Sequence, residues 1–256
     1  MRAPAPLVSI ARGGKRLAKR VLPSPVKDRL AALLRGPKPP PVGRVNMGDL
    51  ARLDPVSSVF GFDRGLPIDR LYIEDFLAAH SGDIRGRVLE VGDDSYCRRF
   101  GAGITRQDVL HVSPDNPKAT IVGDLSHGGI LPEAAFDCLV ITQTLQYLFD
   151  MPRAVSELRR SLAPGGVLLL TVPGVSSVDR GEWGSSWYWS LTAQSATRLF
   201  ENEFGAGNVE IGAHGNVYAA TCFLQGLAVE EVDRSWLRKV DPAYPLIVTV
   251  RARKGG

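Results

Sequence analysis

Apolar and polar positions along this chain fall into short blocks whose period switches repeatedly between two and about 3.6 residues. Val88, Leu89 and Val91 make a brief buried strand with Glu90 at its carboxyl end, and Gly92 follows at once, a pattern that reads as a strand turning sharply beneath a ligand. Further apolar runs predict strands over residues 109–112, 120–122, 136–142 and 167–172, the last nearly all apolar as a central strand would be. Between them the spacing is helical. Leu71, Ile73, Phe76 and Leu77 share a face in residues 71–80, and Ala154, Val155, Leu158 and Leu162 do so in residues 151–162, where Pro164, Gly165 and Gly166 end the helix. The final third predicts a helix within 191–204 capped by Thr192, a strand over 208–211, a long helix over 217–232 and a last strand over 246–251. Alternation of this kind implies an α/β fold with a mostly parallel sheet covered on both faces. In such a sheet ligands bind outside the carboxyl ends of the strands.

Length and composition narrow the picture. The 256 residues, 44% of them hydrophobic, suit one large domain with an appendage rather than two catalytic domains. The net charge of +4 is unevenly spread. Residues 1–45 hold eleven Lys or Arg against the lone acid Asp28, a balance of +10, so the remainder carries −6. Residues 1–45 therefore read as a basic, proline-rich extension, largely disordered, and residues 46–256 as the functional domain. The extension suits weak contact with an anionic membrane surface or an acidic protein partner, with a short amphipathic helix over residues 26–34. An acidic body argues against a nucleic-acid substrate. There is neither a membrane-length apolar run nor a secretory signal pattern, which reads as a cytoplasmic protein. Cys97, Cys138 and Cys222 are dispersed and form no CxxC pair, and the histidines lack zinc spacing, so no metal is expected.

The acids suggest the chemistry. Glu90 and Gly92 follow the first strand, Asp108 lies about one βα unit on, Asp124 follows the third strand, and Asp137 opens the fourth. A carboxylate at the second position can accept from two ribose hydroxyls, and one after the third strand can approach an adenine amino group. The series converges on a nucleoside-shaped ligand.

In that order the motifs resemble the class I S-adenosylmethionine-dependent methyltransferases, particularly bacterial type 11 methyltransferase domains, over roughly residues 71–172. The resemblance implies a Rossmann-like seven-stranded, mostly parallel sheet of order 3-2-1-4-5-7-6 with the last strand antiparallel, flanked by helices. It also implies S-adenosylmethionine as cofactor. On that reading Glu90, Gly92 and Asp94 line the methionine part, Asp108 holds the ribose, Asp124 and Leu125 the adenine, and Gln143 faces the transferred methyl. LAPGGVLLLTVP matches the helix, PGG turn and fifth strand. One departure stands out: the family's ExGxGxG keeps only Gly92 here, with Asp94 and Tyr96 at the later glycine positions. That means weaker cofactor binding, a turn rebuilt with aspartates, or a fold kept without the reaction. The absence of GxGxxG also argues against a nicotinamide dinucleotide.

Two segments are placed to set specificity. In FGFDRGLPIDRLYIE, Arg70 and Tyr72 are candidates to reach the cofactor, with Arg64 beside them; in GEWGSSWYWS, Trp183 and Trp187 are candidate acceptor contacts. No catalytic base is singled out by spacing; His111, His127, His214 and Glu182 are the candidates. The expected activity is methyl transfer, by O-methylation, to a small-molecule or saccharide acceptor. A non-catalytic binding or scaffolding protein of the same fold is the alternative.

Overall fold

The computed structural model describes residues 39–255. The stretch at residues 26–34 lies outside the described residues, as does most of the basic extension. The contacts divide the chain after Ala51, and the sheet, its helices and the cleft all belong to the unit that begins at Arg52.

Seven strands form one sheet: β1 (Gly86–Val91), β2 (Ile104–His111), β3 (Ile121–Val122), β4 (Phe136–Thr142), β5 (Leu162–Pro173), β6 (Val209–His214) and β7 (Ile247–Arg253). Their order is β3-β2-β1-β4-β5-β7-β6, with β7 antiparallel to both neighbours and the other pairings parallel. The order reverses between β1 and β4, so a crevice opens where the chain leaves β1 in one direction and β4 in the other.

The six helices among the described residues are α1 (Ile68–Ala79), α2 (Ser95–Phe100), α3 (Met151–Ser161), α4 (Ala193–Phe204), α5 (Val217–Leu224) and α6 (Arg234–Leu237). Strand residues alternate between two cores, as a period of two demands. Leu89, Leu139, Ile141, Leu168 and Leu170 meet Val155 and Leu158 of α3 and Phe200 of α4 on one face. Val88, Cys138, Val140 and Leu169 meet Ile73 and Leu77 of α1 and Phe223 of α5 on the other. All three cysteines are buried and unpaired. No helix among the described residues is long and apolar enough to cross a membrane.

Most elements fall where the hydrophobic pattern puts them. Thr192 caps α4, accepting from the Ser195 N–H at 3.2 Å in a reciprocal capping box. The expected long helix over 217–232 is instead α5 alone, followed by a turn and a short helical turn at Val229–Glu231. Gly226 ends it with φ +68°, where a side chain would be strained and would also run into Ser57. Asn216 starts it by accepting from the Ala219 N–H at 2.9 Å.

Candidate functional site

Three adjoining chambers of about 470, 380 and 270 Å³ open at the carboxyl edge of the sheet, together ample for a cofactor and a small acceptor. Gln143 and Tyr147 line all three, so the chambers meet at the residues just after β4. Gln143 is held in the left-handed region at φ +47°, uncommon for a residue with a side chain, by its N–H donating to Thr171 O at 2.9 Å. Strain maintained by the surroundings at the junction of a cleft marks a positioned side chain.

The first chamber lies above β1, between Glu90, Gly92, Asp93, Ser95, Tyr96 and Arg70. Gly92 has φ +85°, and a Cβ built there would meet nothing within 4 Å, so the glycine leaves the floor of the cleft open. The turn beyond it is built by aspartate rather than by more glycines. Asp93 accepts from Ser95 N at 2.9 Å and Ser95 Oγ at 2.8 Å, and α2 follows. Glu90 is buried and accepts from the N–H groups of Tyr96 at 3.0 Å and Cys97 at 2.8 Å, clamping the start of α2 to the strand. Burial pushes its carboxyl up to about 7, against the pull of those two donors. Arg70 reaches the chamber from the first turn of α1, its guanidinium 5.5 Å from the Phe62 ring centroid and its Nε 3.8 Å from Asp69 Oδ2.

The second chamber runs over the ends of β1, β2 and β3, with Gly92, His111, Asp124, Leu125, Thr142 and Trp183 around it. Asp124 is held by Ser126, which donates from its N–H at 2.8 Å and its hydroxyl at 2.7 Å. Buried Leu125 supplies an apolar wall. The third chamber is the most aromatic. Phe60 stacks on Trp187 with centroids 6.1 Å apart, and the Tyr147 ring lies 5.6 Å from that of Trp183 and 5.4 Å from that of Trp187. Its polar groups include Asp69, whose carboxyl burial raises, and Gln146, whose amide nitrogen and oxygen are both buried without a hydrogen-bond partner. A buried amide with unmet capacity is costly unless something else completes it.

Of the residues singled out from the sequence, the cleft brings together Glu90, Gly92, Arg70, Asp124, Leu125, Gln143, Trp183 and Trp187. Three do not line it. Asp108 lies within β2, because that strand begins at Ile104 and pairs Asp108 with Leu89. Its carboxylate is buried between Arg87 Nε at 2.9 Å, Arg106 Nη2 at 3.0 Å and Thr120 Oγ1 at 3.1 Å. Burial would raise its pKa, but these three donors hold it below the usual carboxylate range. Tyr72 faces away on α1. Its hydroxyl donates to Leu237 O at 2.7 Å, and burial pushes its pKa up to about 12. Asp94 is likewise turned aside, paired with Lys118 at 2.8 Å and Arg98 at 2.5 Å, while Asp93 takes the place at the cleft. Of the candidate bases only His111 lines the cleft chambers; His127 and Glu182 are exposed at other positions, and His214 sits against Thr249 Oγ1 at 3.0 Å.

Sequence reasoning missed Tyr147, Gln146, Asp69 and Phe60. Tyr147 and Gln146 follow Gln143 in the same post-β4 segment, and Asp69 precedes Arg70, so proximity was the available signal. A separate cavity at the opposite edge of the sheet is lined by Asp83, Arg85, Asp137, Arg251 and Arg253, and Arg251 there is already paired with Asp83 at 2.8 Å.

A reversed strand order with a cleft over β1 and β4, floored by a single open glycine, defines a Rossmann-like α/β fold. The chain belongs to the methyltransferase-domain family, whose model matches residues 67–218. It is 35% identical over 103 residues to a probable S-adenosylmethionine-dependent methyltransferase of Mycolicibacterium smegmatis, a match that covers 39% of this chain and 38% of that protein's length. Among solved structures it is similar in fold to the [4+2]-cyclase SpnF, with a TM-score of 0.50 and 20% identity over 75% of this chain and 83% of that one. A methyltransferase from Archaeoglobus fulgidus has a TM-score of 0.48 at 12% identity, covering 72% of this chain and 94% of that one.

Proposed function

We propose that this protein is an S-adenosylmethionine-dependent methyltransferase acting by O-methylation on a small, hydroxylated, saccharide-like acceptor. The observation that carries the reading is the meeting of three chambers at Gln143 and Tyr147, with the open Gly92 turn on one side and the indoles of Trp183 and Trp187 on the other. The residues fit the cofactor: Gly92 leaves room for a ligand against the backbone, Arg70 offers a cation toward its carboxylate, and Asp124 with Leu125 offers an acceptor and an apolar wall to its base. When bound, S-adenosylmethionine supplies a sulfonium methyl group open to in-line attack.

The protein's own part is positioning and the exclusion of water. The indoles give an apolar face on which a sugar ring can lie. Asp69, buried at the wall of the same chamber, is the carboxylate positioned to take the proton an acceptor hydroxyl loses. Incubation with methyl-labelled S-adenosylmethionine and a panel of monosaccharides and nucleotide sugars is expected to put label on a sugar oxygen. Label found on nitrogen or carbon acceptors instead would contradict the acceptor assignment while leaving the cofactor untouched.

The second reading, a binding protein of the same fold, is favoured by the replacement of the later glycines with Asp94 and Tyr96. Against it, the aspartate-built turn keeps Gly92 open.

A further inference from the structure

No carboxylate from β2 reaches the cleft, because Asp108 is spent within the strand on Arg87, Arg106 and Thr120. The strand ends at His111. The N–H of Gly92 donates to Leu110 O at 3.0 Å, and the N–H of Gly123 donates to His111 O at 2.9 Å. The backbone of His111 is thus fixed between the glycine turn of β1 and the Gly123–Asp124 end of β3. Those two places flank the middle of the second chamber, which His111 lines. A ligand with its charged tail over Gly92 and its base against Asp124 and Leu125 has its sugar ring between them.

The imidazole is oriented. Nδ1 lies 3.0 Å from Ser113 O, closer than the Ser113 N–H at 3.3 Å. The tautomer that donates Nδ1–H to that carbonyl leaves Nε2 free as an acceptor. The Trp183 ring stands edge-on to the imidazole at 6.3 Å between centroids.

We propose that His111 reads the ribose of the bound nucleoside, Nε2 accepting a hydrogen bond from a ribose hydroxyl, so that this chain recognises the sugar with an imidazole in place of a carboxylate. The inference rests on the adenosyl-cofactor reading of the cleft. Its consequence is a ribose contact that adds no negative charge beside Asp124.

The test is calorimetric binding of S-adenosylhomocysteine and of its 2′-deoxy and 3′-deoxy analogues to the full chain and to His111→Ala and His111→Asp. In the wild type, removal of the contacted hydroxyl is expected to weaken binding about tenfold, the size of one hydrogen bond left unmade. His111→Ala should bind S-adenosylhomocysteine about tenfold more weakly and discriminate neither deoxy analogue, whereas His111→Asp, which also accepts, should keep the discrimination. Melting temperatures of the variants identify any that have lost the fold, and His111→Asp then serves as the folded comparison. Unchanged discrimination in His111→Ala overturns the proposal and leaves the cofactor reading standing. Failure of the wild type to bind S-adenosylhomocysteine at all overturns the cofactor reading itself.

Discussion

Gly92 and Asp108 separate what a residue's identity reveals from what its position decides. Gly92 sits at φ +85° with open space where a Cβ would be. Gly92→Ala is expected to cost about 1 kcal/mol of stability, from the left-handed backbone, yet to weaken S-adenosylhomocysteine about tenfold or more by filling the cleft floor. Equal affinity measured by calorimetry would show that the ligand does not pass over this turn. Asp108 is expected to behave in the opposite sense. Asp108→Asn should lower unfolding free energy by roughly 3 kcal/mol in denaturant titration, since two guanidiniums lose their buried partner, and leave cofactor affinity unchanged. The sequence made Asp108 conspicuous as an acid in the right part of the chain, but strand register is not legible from composition, and beginning β2 at Ile104 rather than at residue 109 moves that acid from just before the strand into its interior. Glu90 carries a pH signature. Its folded carboxyl lies near 7, above the ordinary value of 4.5, so the unfolded chain releases its proton first and stability falls as pH rises from about 4.5 to 7. The stability difference between wild type and Glu90→Gln should shrink across that window, by an amount on the order of 3 kcal/mol, and stay level above it.

The elements were largely legible because their signals are local. Short apolar runs marked β1, β4 and β5, and the Pro-Gly-Gly after α3 marked its end. The failures came where tertiary contact overrides a local pattern: apolar residues continue past Leu224, but Gly226 packs against Ser57 and stops α5. The link between the β3–β4 connection and α3 is equally non-local. Buried Glu157 of α3 accepts from Gly129 N and Leu131 N, each at 2.9 Å, and from Arg160 Nη2 at 2.8 Å. Burial opposes its charge, but these donors pull the carboxyl down to about 2. Its stabilising contribution is therefore complete above about 4.5 and lost as pH falls toward 2. Glu157→Gln is expected to unfold at lower denaturant concentration at pH 7, with the gap to wild type closing as the titration is repeated at decreasing pH. A constant gap would mean that the charge of Glu157 is not what holds the connection.

At the scale of the whole molecule, the mostly parallel sheet and a cleft at its carboxyl edge were legible from the alternation of elements, whereas the strand order with its switch between β1 and β4 was an implication of the family resemblance and not of the alternation. The third chamber was only half readable. Trp183 and Trp187 announced themselves as a cluster, whereas Phe60, Asp69 and Gln146 join them from three separate segments. The charge asymmetry points to a division of labour: residues 1–45 carry +10 and the rest −6. Removing residues 1–45 is expected to leave cofactor affinity within about twofold; loss of sedimentation with phosphatidylglycerol vesicles on that removal would support a membrane role for the extension, and equal sedimentation of both chains would dispose of one. The central claim, that the cleft over Gly92 and Gln143 holds an adenosyl cofactor, is met most directly by calorimetric titration of the full chain with S-adenosylhomocysteine. Saturable one-to-one binding that Gly92→Ala weakens is the expected result, and the absence of any binding heat up to about 1 mM ligand would contradict the claim.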